Sequence, residues 1–156
     1  MGRLGKIAGA VILVLGVIAL VIGGVFVFQG FSKNNLIVER MRVEKVSLAL
    51  DPNNPTTLTQ IQNGAQAQAA ADIISSHRRA IAPTYQDLLK GGRFDATNPQ
   101  HLTYAQAMNL ENYLYLAVVA FGLVQVVLGA GAFMVVTGIA LGLTGLVLFR
   151  SARVAP

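Results

Sequence analysis

The sequence predicts a mainly α membrane protein: a two-helix transmembrane antiparallel hairpin, a small and mostly helical extracytoplasmic segment, and a long C-terminal helix. Three observations lead there. Charged residues are absent from Ile7 to Ser32 and again from Asn112 to Phe149. Basic residues without acidic partners flank the outer ends of both blocks, Arg3 and Lys6 before the first, Arg150 and Arg153 after the second. Glycines recur every seven residues in each block.

The first block, from Ile7 to Phe28, extends about 33 Å as a helix at ~1.5 Å per residue, enough for a hydrocarbon core. An isolated apolar run in lipid must satisfy its own amides, which selects the α-helix. A cleaved signal peptide is the competing reading, since Arg3 and Lys6 resemble a basic leader. The run exceeds the ~7–15 residues of such a leader's apolar region, and Phe26 to Ser32 lacks a small-x-small cleavage site, so a retained anchor is expected.

The second block has 38 residues, or about 57 Å as one helix, more than one crossing needs. One reading is a single helix that projects beyond the bilayer, with its span near Ala120 to Phe149 and Tyr104, Tyr113 and Tyr115 as an interfacial belt. The other is two short spans turning at Gly129-Ala130-Gly131, which leaves backbone groups unsatisfied in lipid. Lys and Arg concentrate on the cytoplasmic side of membrane helices, so the flanking pairs place both termini in the cytoplasm and favour two crossings. The expected organisation is a cytoplasmic N-terminus at 1–6, a first span at 7–31, an extracytoplasmic segment at 32–111, an interfacial and membrane helix at 112–149, and a cytoplasmic tail at 150–156, in a bacterial inner membrane.

Gly9, Gly16, Gly23 and Gly30 form one stripe, and Gly131, Gly138 and Gly145 form another. A period of seven keeps one seam facing a partner in a left-handed crossing, and small residues there let two backbones approach. Antiparallel pairing sets Gly9 opposite Gly145, Gly16 opposite Gly138 and Gly23 opposite Gly131. Gly122 and Gly129 make a further stripe about 200° around the helix from Gly131 at ~100° per residue. One neighbour cannot cover both, so further helices are expected, from copies of this chain or from other subunits. The polar residues of the second span, Gln125, Thr137 and Thr144, do not ionise, which argues against a proton relay.

The segment from Lys33 to Glu111 holds all seven acidic residues and eight of the twelve basic ones. Leu36 to Arg42 is expected to continue the first helix. Val46, Leu48 and Leu50 alternate with smaller residues as a strand does, before a turn at Asp51-Pro52-Asn53-Asn54-Pro55. Gly64 to Ala82 reads as a helix with Ala67, Ala70, Ile74, His77 and Ile81 on one face, closed by Pro83. A short turn over Tyr85 to Lys90 stops at Gly91-Gly92, and Asn98-Pro99 supplies the cap and first-turn proline of the last helix.

Chemical motifs are lacking. No cysteine exists to form a disulfide or thiolate site, and basic residues are not interleaved with aromatics as in nucleic-acid binders. His77 and His101 with Glu111 or Asp72 would be needed for a facial iron triad, and their spacing does not imply convergence. Gly91-Gly92 lacks the phosphate-loop pattern, and no nucleophile motif is present. Arg78-Arg79 reads as an exposed charge pair. No catalytic, cofactor or metal residue is therefore assigned, and the expected partners are membrane lipid and transmembrane helices rather than nucleic acid.

The basic start, glycine-bearing span, Glu44-Lys45-Val46-Ser47, the Ala/Gln-rich helix ending in Ile73-Ile74-Ser75-Ser76-His77, then Thr84-Tyr85 and a C-terminal span, are similar to a largely uncharacterised family of small two-span membrane proteins of actinobacteria and Chloroflexi. Some members bear the label of aromatic-ring-opening dioxygenases. His77 matches the family's recurrent histidine, but the other ligands of such an enzyme have no counterpart, so the resemblance transfers no catalytic residue. This chain is longer around Asp51 to Gln62 and Gly91 to His101. The functional expectation is a non-enzymatic accessory subunit of a larger membrane complex, of the respiratory or photosynthetic kind, with a self-associating scaffold or envelope sensor as the alternative and a metal-dependent enzyme as the remote one.

Overall fold

Two uninterrupted helices carry most of the chain in the computed structural model, which describes residues 2–45, 47–48 and 58–154. Helix α1 is Gly2–Val43; strands β1 (Ser47–Leu48) and β2 (Thr59–Gln60) follow, then α2 (Gly64–Ile81), α3 (Tyr85–Leu89) and α4 (Pro99–Val154). The second apolar block thus lies within one continuous helix, with no turn at Gly129-Ala130-Gly131. Both α1 and α4 are long and apolar enough to cross a membrane. Only 11% of the most apolar stretch of α1 and 17% of that of α4 are buried within the protein, so neither resembles the core helix of a water-soluble domain. Val21, Val126, Phe133, Val136 and Leu143 are more than three-fifths exposed. Apolar surface on this scale marks contact with lipid or with other protein.

The chain divides into two compact units, one formed by residues up to Asn34 together with those from Leu123 onward, the other by Asn35–Gly122. In the first, the heptad glycines of α1 and α4 meet. In the second, Ala67, Ala70 and Ala71 of α2 pack with Leu114, Ala117 and Phe121 of α4 and with Ile61, while Ile37, Val38 and Met41 of α1 close the cluster. Alanine and glycine set the spacing here too: a Cβ added at Gly64 would stand 3.3 Å from the Phe121 Cβ. A smaller cluster of Ala82, Leu88 and Tyr104 adjoins Met108.

Local signals explain the helix ends. Asn63 Oδ1 accepts the Gln66 N–H at 2.9 Å, while Gln66 Oε1 accepts the Gln62 N–H at 2.8 Å, a reciprocal cap that satisfies donors otherwise orphaned at the start of α2. Pro83 follows the C-cap residue Ala82, where a helix cannot readily continue. Thr84 Oγ1 accepts the Asp87 N–H at 3.1 Å and donates to Asp87 Oδ2 at 2.7 Å, opening α3. Lys90 then takes a left-handed conformation (φ 46°) and Gly91 another (φ 79°), reversing the chain. Asn98 Oδ1 accepts the Gln100 N–H at 2.9 Å and so caps α4, with Pro99 at its first helical position.

Three expectations need correction. The strand pattern is realised as a two-residue antiparallel ladder, Ser47 with Gln60 and Leu48 with Thr59, whose second strand has no alternating apolar signal. The remainder of that pattern and the turn at 51–55 lie outside the described residues. His77 and Ile81 are exposed, because α2 is rotated to bury Ala71 and Ser75 instead. Tyr104 is fully buried, not part of an interfacial belt. Tyr113 is exposed, and Tyr115 is half-exposed with its hydroxyl 3.4 Å from Asp72 Oδ1.

Candidate functional site

Two features stand apart from ordinary packing, one in each unit. The first is a run of glycines where helix backbones touch. A Cβ built on Gly9 would lie 2.7 Å from the Phe149 nitrogen, on Gly16 2.7 Å from the Gly142 nitrogen, and on Gly23 2.8 Å from the Gly131 oxygen. From the other side, a Cβ on Gly145 would lie 2.6 Å from the Leu13 nitrogen, on Gly138 2.8 Å from the Leu20 nitrogen, and on Gly131 2.9 Å from the Val27 nitrogen. Non-bonded heavy atoms settle at roughly 3.5–4.0 Å, so no larger residue fits without moving a backbone. The contacts climb α1 as they descend α4. Gly30 differs, since its Cβ would crowd the Leu128 side chain, at 2.5 Å, while the nearest backbone atom, the Leu128 nitrogen, stands at 3.6 Å. Gly122 and Gly129 have nothing within 4 Å and are exposed.

The second feature is polar. Arg78 of α2 donates from Nε to Glu111 Oε2 of α4 at 2.6 Å and from Nη2 to Oε1 at 3.4 Å. Its Nη1 donates to the Tyr104 hydroxyl, and its guanidinium carbon stands 5.0 Å from the Tyr104 ring centroid. The two charged side chains are only 12% and 9% exposed, so the pairing corrects the reading of Arg78 as a surface charge. Tyr85 tilts against Tyr104 with 6.2 Å between ring centres. The Arg78 guanidinium holds the Glu111 carboxyl below its ordinary value, assisted by the Ser75 hydroxyl and opposed by burial. A cleft of about 360 Å³ opens beside the pair, lined also by Arg79, Thr84, Met108 and Asn112.

Of the residues weighed for metal chemistry, His77 is exposed on α2 and the others have partners. His101 Nδ1 accepts the Asp95 N–H at 3.1 Å and its ring stacks on Phe94 at 5.8 Å, fixing the loop before α4. Asp72 accepts from Gln68 Nε2 at 2.9 Å. Glu111 is committed to Arg78, and among the described residues no three metal-ligating side chains gather. Thr144 donates its hydroxyl to the Ala140 carbonyl at 2.8 Å, leaving it only as an acceptor for a bond across helices. No protein-family model, curated protein or solved structure matches this chain.

Two predictions follow from these geometries. Gly16→Ala or Gly138→Ala should lower the thermal midpoint of the protein in mild detergent by several degrees, whereas Gly122→Ala or Gly129→Ala should hold or raise it, alanine being the better helix former by about 1 kcal/mol. Equal shifts at Gly16 and Gly129 would contradict the packing described. Arg78→Ala should cost roughly 3–5 kcal/mol, since it strands a buried carboxylate. A carboxyl whose folded value is depressed adds stability above its unfolded value and loses it as pH falls through the folded one. Stability to denaturant, followed by tyrosine near-ultraviolet dichroism, should therefore fall on acidification below the ordinary carboxyl value of 4.5, and Glu111→Gln should flatten that pH dependence.

Proposed function

We propose that the protein is a non-enzymatic accessory subunit of a larger membrane assembly. It crosses a bacterial inner membrane twice, with both termini in the cytoplasm and residues 32–111 outside. The observation that carries this reading is the contrast between the glycines of α4. Gly131, Gly138 and Gly145 are covered by α1, whereas Gly129 and Gly122, roughly 200° around the helix, have open space where a neighbour would sit. In lipid no hydrophobic force drives helices together, so a bare small-residue stripe is useful chiefly as a place where another backbone packs. The exposed apolar residues of both helices supply the surrounding lipid contact. The Arg78–Glu111–Tyr104 cluster of the outer segment holds α2 to α4, which suits a structural part. The assembly proposed is of the respiratory or photosynthetic kind.

Extraction of native membranes in a mild detergent, followed by pull-down on this chain, tests the proposal. Stoichiometric recovery of other membrane subunits is expected, and Gly122→Leu with Gly129→Leu should abolish it without unfolding the chain. Recovery of this protein alone in every detergent would overturn it. A crosslinked ladder of homo-oligomers without other chains would replace it with the self-associating scaffold.

A further inference from the structure

The cleft beside the Arg78–Glu111 pair has an unbalanced charge. Among the described residues that line it, two arginines face one carboxylate. Glu111 is bonded to Arg78 through both carboxylate oxygens, and so neutralises one guanidinium. Arg79, the next residue on α2, is exposed and makes no direct ion pair among the described residues, its charge acting on Glu111 only through space. Arg78 has itself not exhausted its donors, since three of about five guanidinium N–H groups are used in the bonds described.

Neutral donors stand at the same opening. The Asn112 amide is exposed on α4 and the Tyr85 ring is 40% exposed on α3, both among the lining residues. One net positive charge surrounded by amide and hydroxyl donors suits an anion with several acceptor oxygens. A volume of about 360 Å³ lies at the lower end of the ~300–1,000 Å³ of small-ligand sites and exceeds what a lone carboxylate fills. The arginine fork and point donors match tetrahedral phosphoryl oxygens particularly well.

We propose that this cleft binds a phosphate-bearing anion, with Arg79 and Asn112 as its principal contacts, Tyr85 at its rim and Arg78 fixed behind by Glu111. The position of Asn112 bears on the source. It is the first residue of the charge-free run to Phe149 and stands eight residues, about 12 Å of helix at ~1.5 Å each, before the span expected from Ala120, so a phospholipid headgroup reaches it only from a membrane surface that rises beyond that span. A soluble phosphate ester presents the same chemistry. The site is independent of the docking stripe at Gly122 and Gly129, so failure of one does not remove the other.

The full chain in a non-ionic detergent has four tyrosines and no tryptophan, and with Tyr113 and Tyr115 replaced by phenylalanine its tyrosine fluorescence reports on Tyr85 and Tyr104. Titration with inorganic phosphate, glycerol 3-phosphate, short-chain phosphatidylglycerol and the diacylglycerol of equal chain length is the test. Saturable binding of the phosphate-bearing probes, weakened at least tenfold by Arg79→Gln and less by Arg79→Lys, is expected. Tighter binding of phosphatidylglycerol than of glycerol 3-phosphate identifies the headgroup as the source, and the reverse order identifies a soluble ester. Asn112→Ala, at an exposed position, gives a second reading that does not touch the buried pair. The proposal is overturned if diacylglycerol binds as well as phosphatidylglycerol, or if Arg79→Gln binds every probe as the unaltered chain does while retaining its helical dichroism.

Discussion

Close approach of two helix backbones at glycine is the constraint on which the first unit depends. Large apolar side chains cannot hold α1 to α4 by escaping water if their alternative is lipid, because hydrocarbon solvates leucine as well as leucine does. What remains is dispersion between atoms brought to contact, and that requires the absence of side chains at Gly9, Gly16 and Gly23 opposite Gly145, Gly138 and Gly131. The seven-residue spacing keeps those absences on one seam along about four helical turns, from Gly9 to Gly23. Each helix can then turn its valines, leucines and phenylalanines outward, which explains how a protein so apolar buries so little of its apolar surface.

The second unit obeys different physics. Asn35–Gly122 contains carboxylates, guanidiniums and a conventional core, and its helices are joined by side chains as well as by close contact. Arg78 is its polar hinge point, binding Glu111 and Tyr104 from another helix at once. Desolvation of that pair is costly, and the compensation is specificity: only one rotation of α2 brings Arg78 to Glu111 while burying Ala67, Ala70 and Ala71.

How far each feature was legible in the amino-acid sequence follows from these two kinds of interaction. Helix ends were legible where stops and caps are local: Pro83 after α2, Gly91 after α3 and Asn98-Pro99 before α4 lie within a few residues of the boundaries they set, whereas the caps at Asn63 and Thr84 show only in the structure. The glycine stripes are visible as spacing alone. The buried ion pair was not visible, since Arg78 and Glu111 are 33 residues apart and each looks like a surface charge in isolation. Its one trace is that Tyr104, Met108 and Glu111 recur at helical spacing on α4. Missing it misplaced the buried face of α2, because His77 and Ile81 are more apolar in appearance than Ser75 and Arg78. It also sent Tyr104 to the membrane surface, where tyrosines are frequent, when its hydroxyl has a buried partner. The ladder to Thr59–Gln60 escaped notice because a two-residue strand has no period to read.

The most direct measurement of the central claim is a distance between spin labels on Lys6→Cys and Arg150→Cys in lipid nanodiscs, diluted with unlabelled protein so that only pairs within one chain contribute. The absence of native cysteine makes the labelling unambiguous, and both positions are exposed. Antiparallel helices in backbone contact at Gly9 predict a narrow distribution within about 25 Å, given interaxial distances of roughly 8–10 Å and the reach of the labels. A distribution centred beyond about 40 Å, well outside the reach of two helices in contact at ~8–10 Å with their labels, would contradict it.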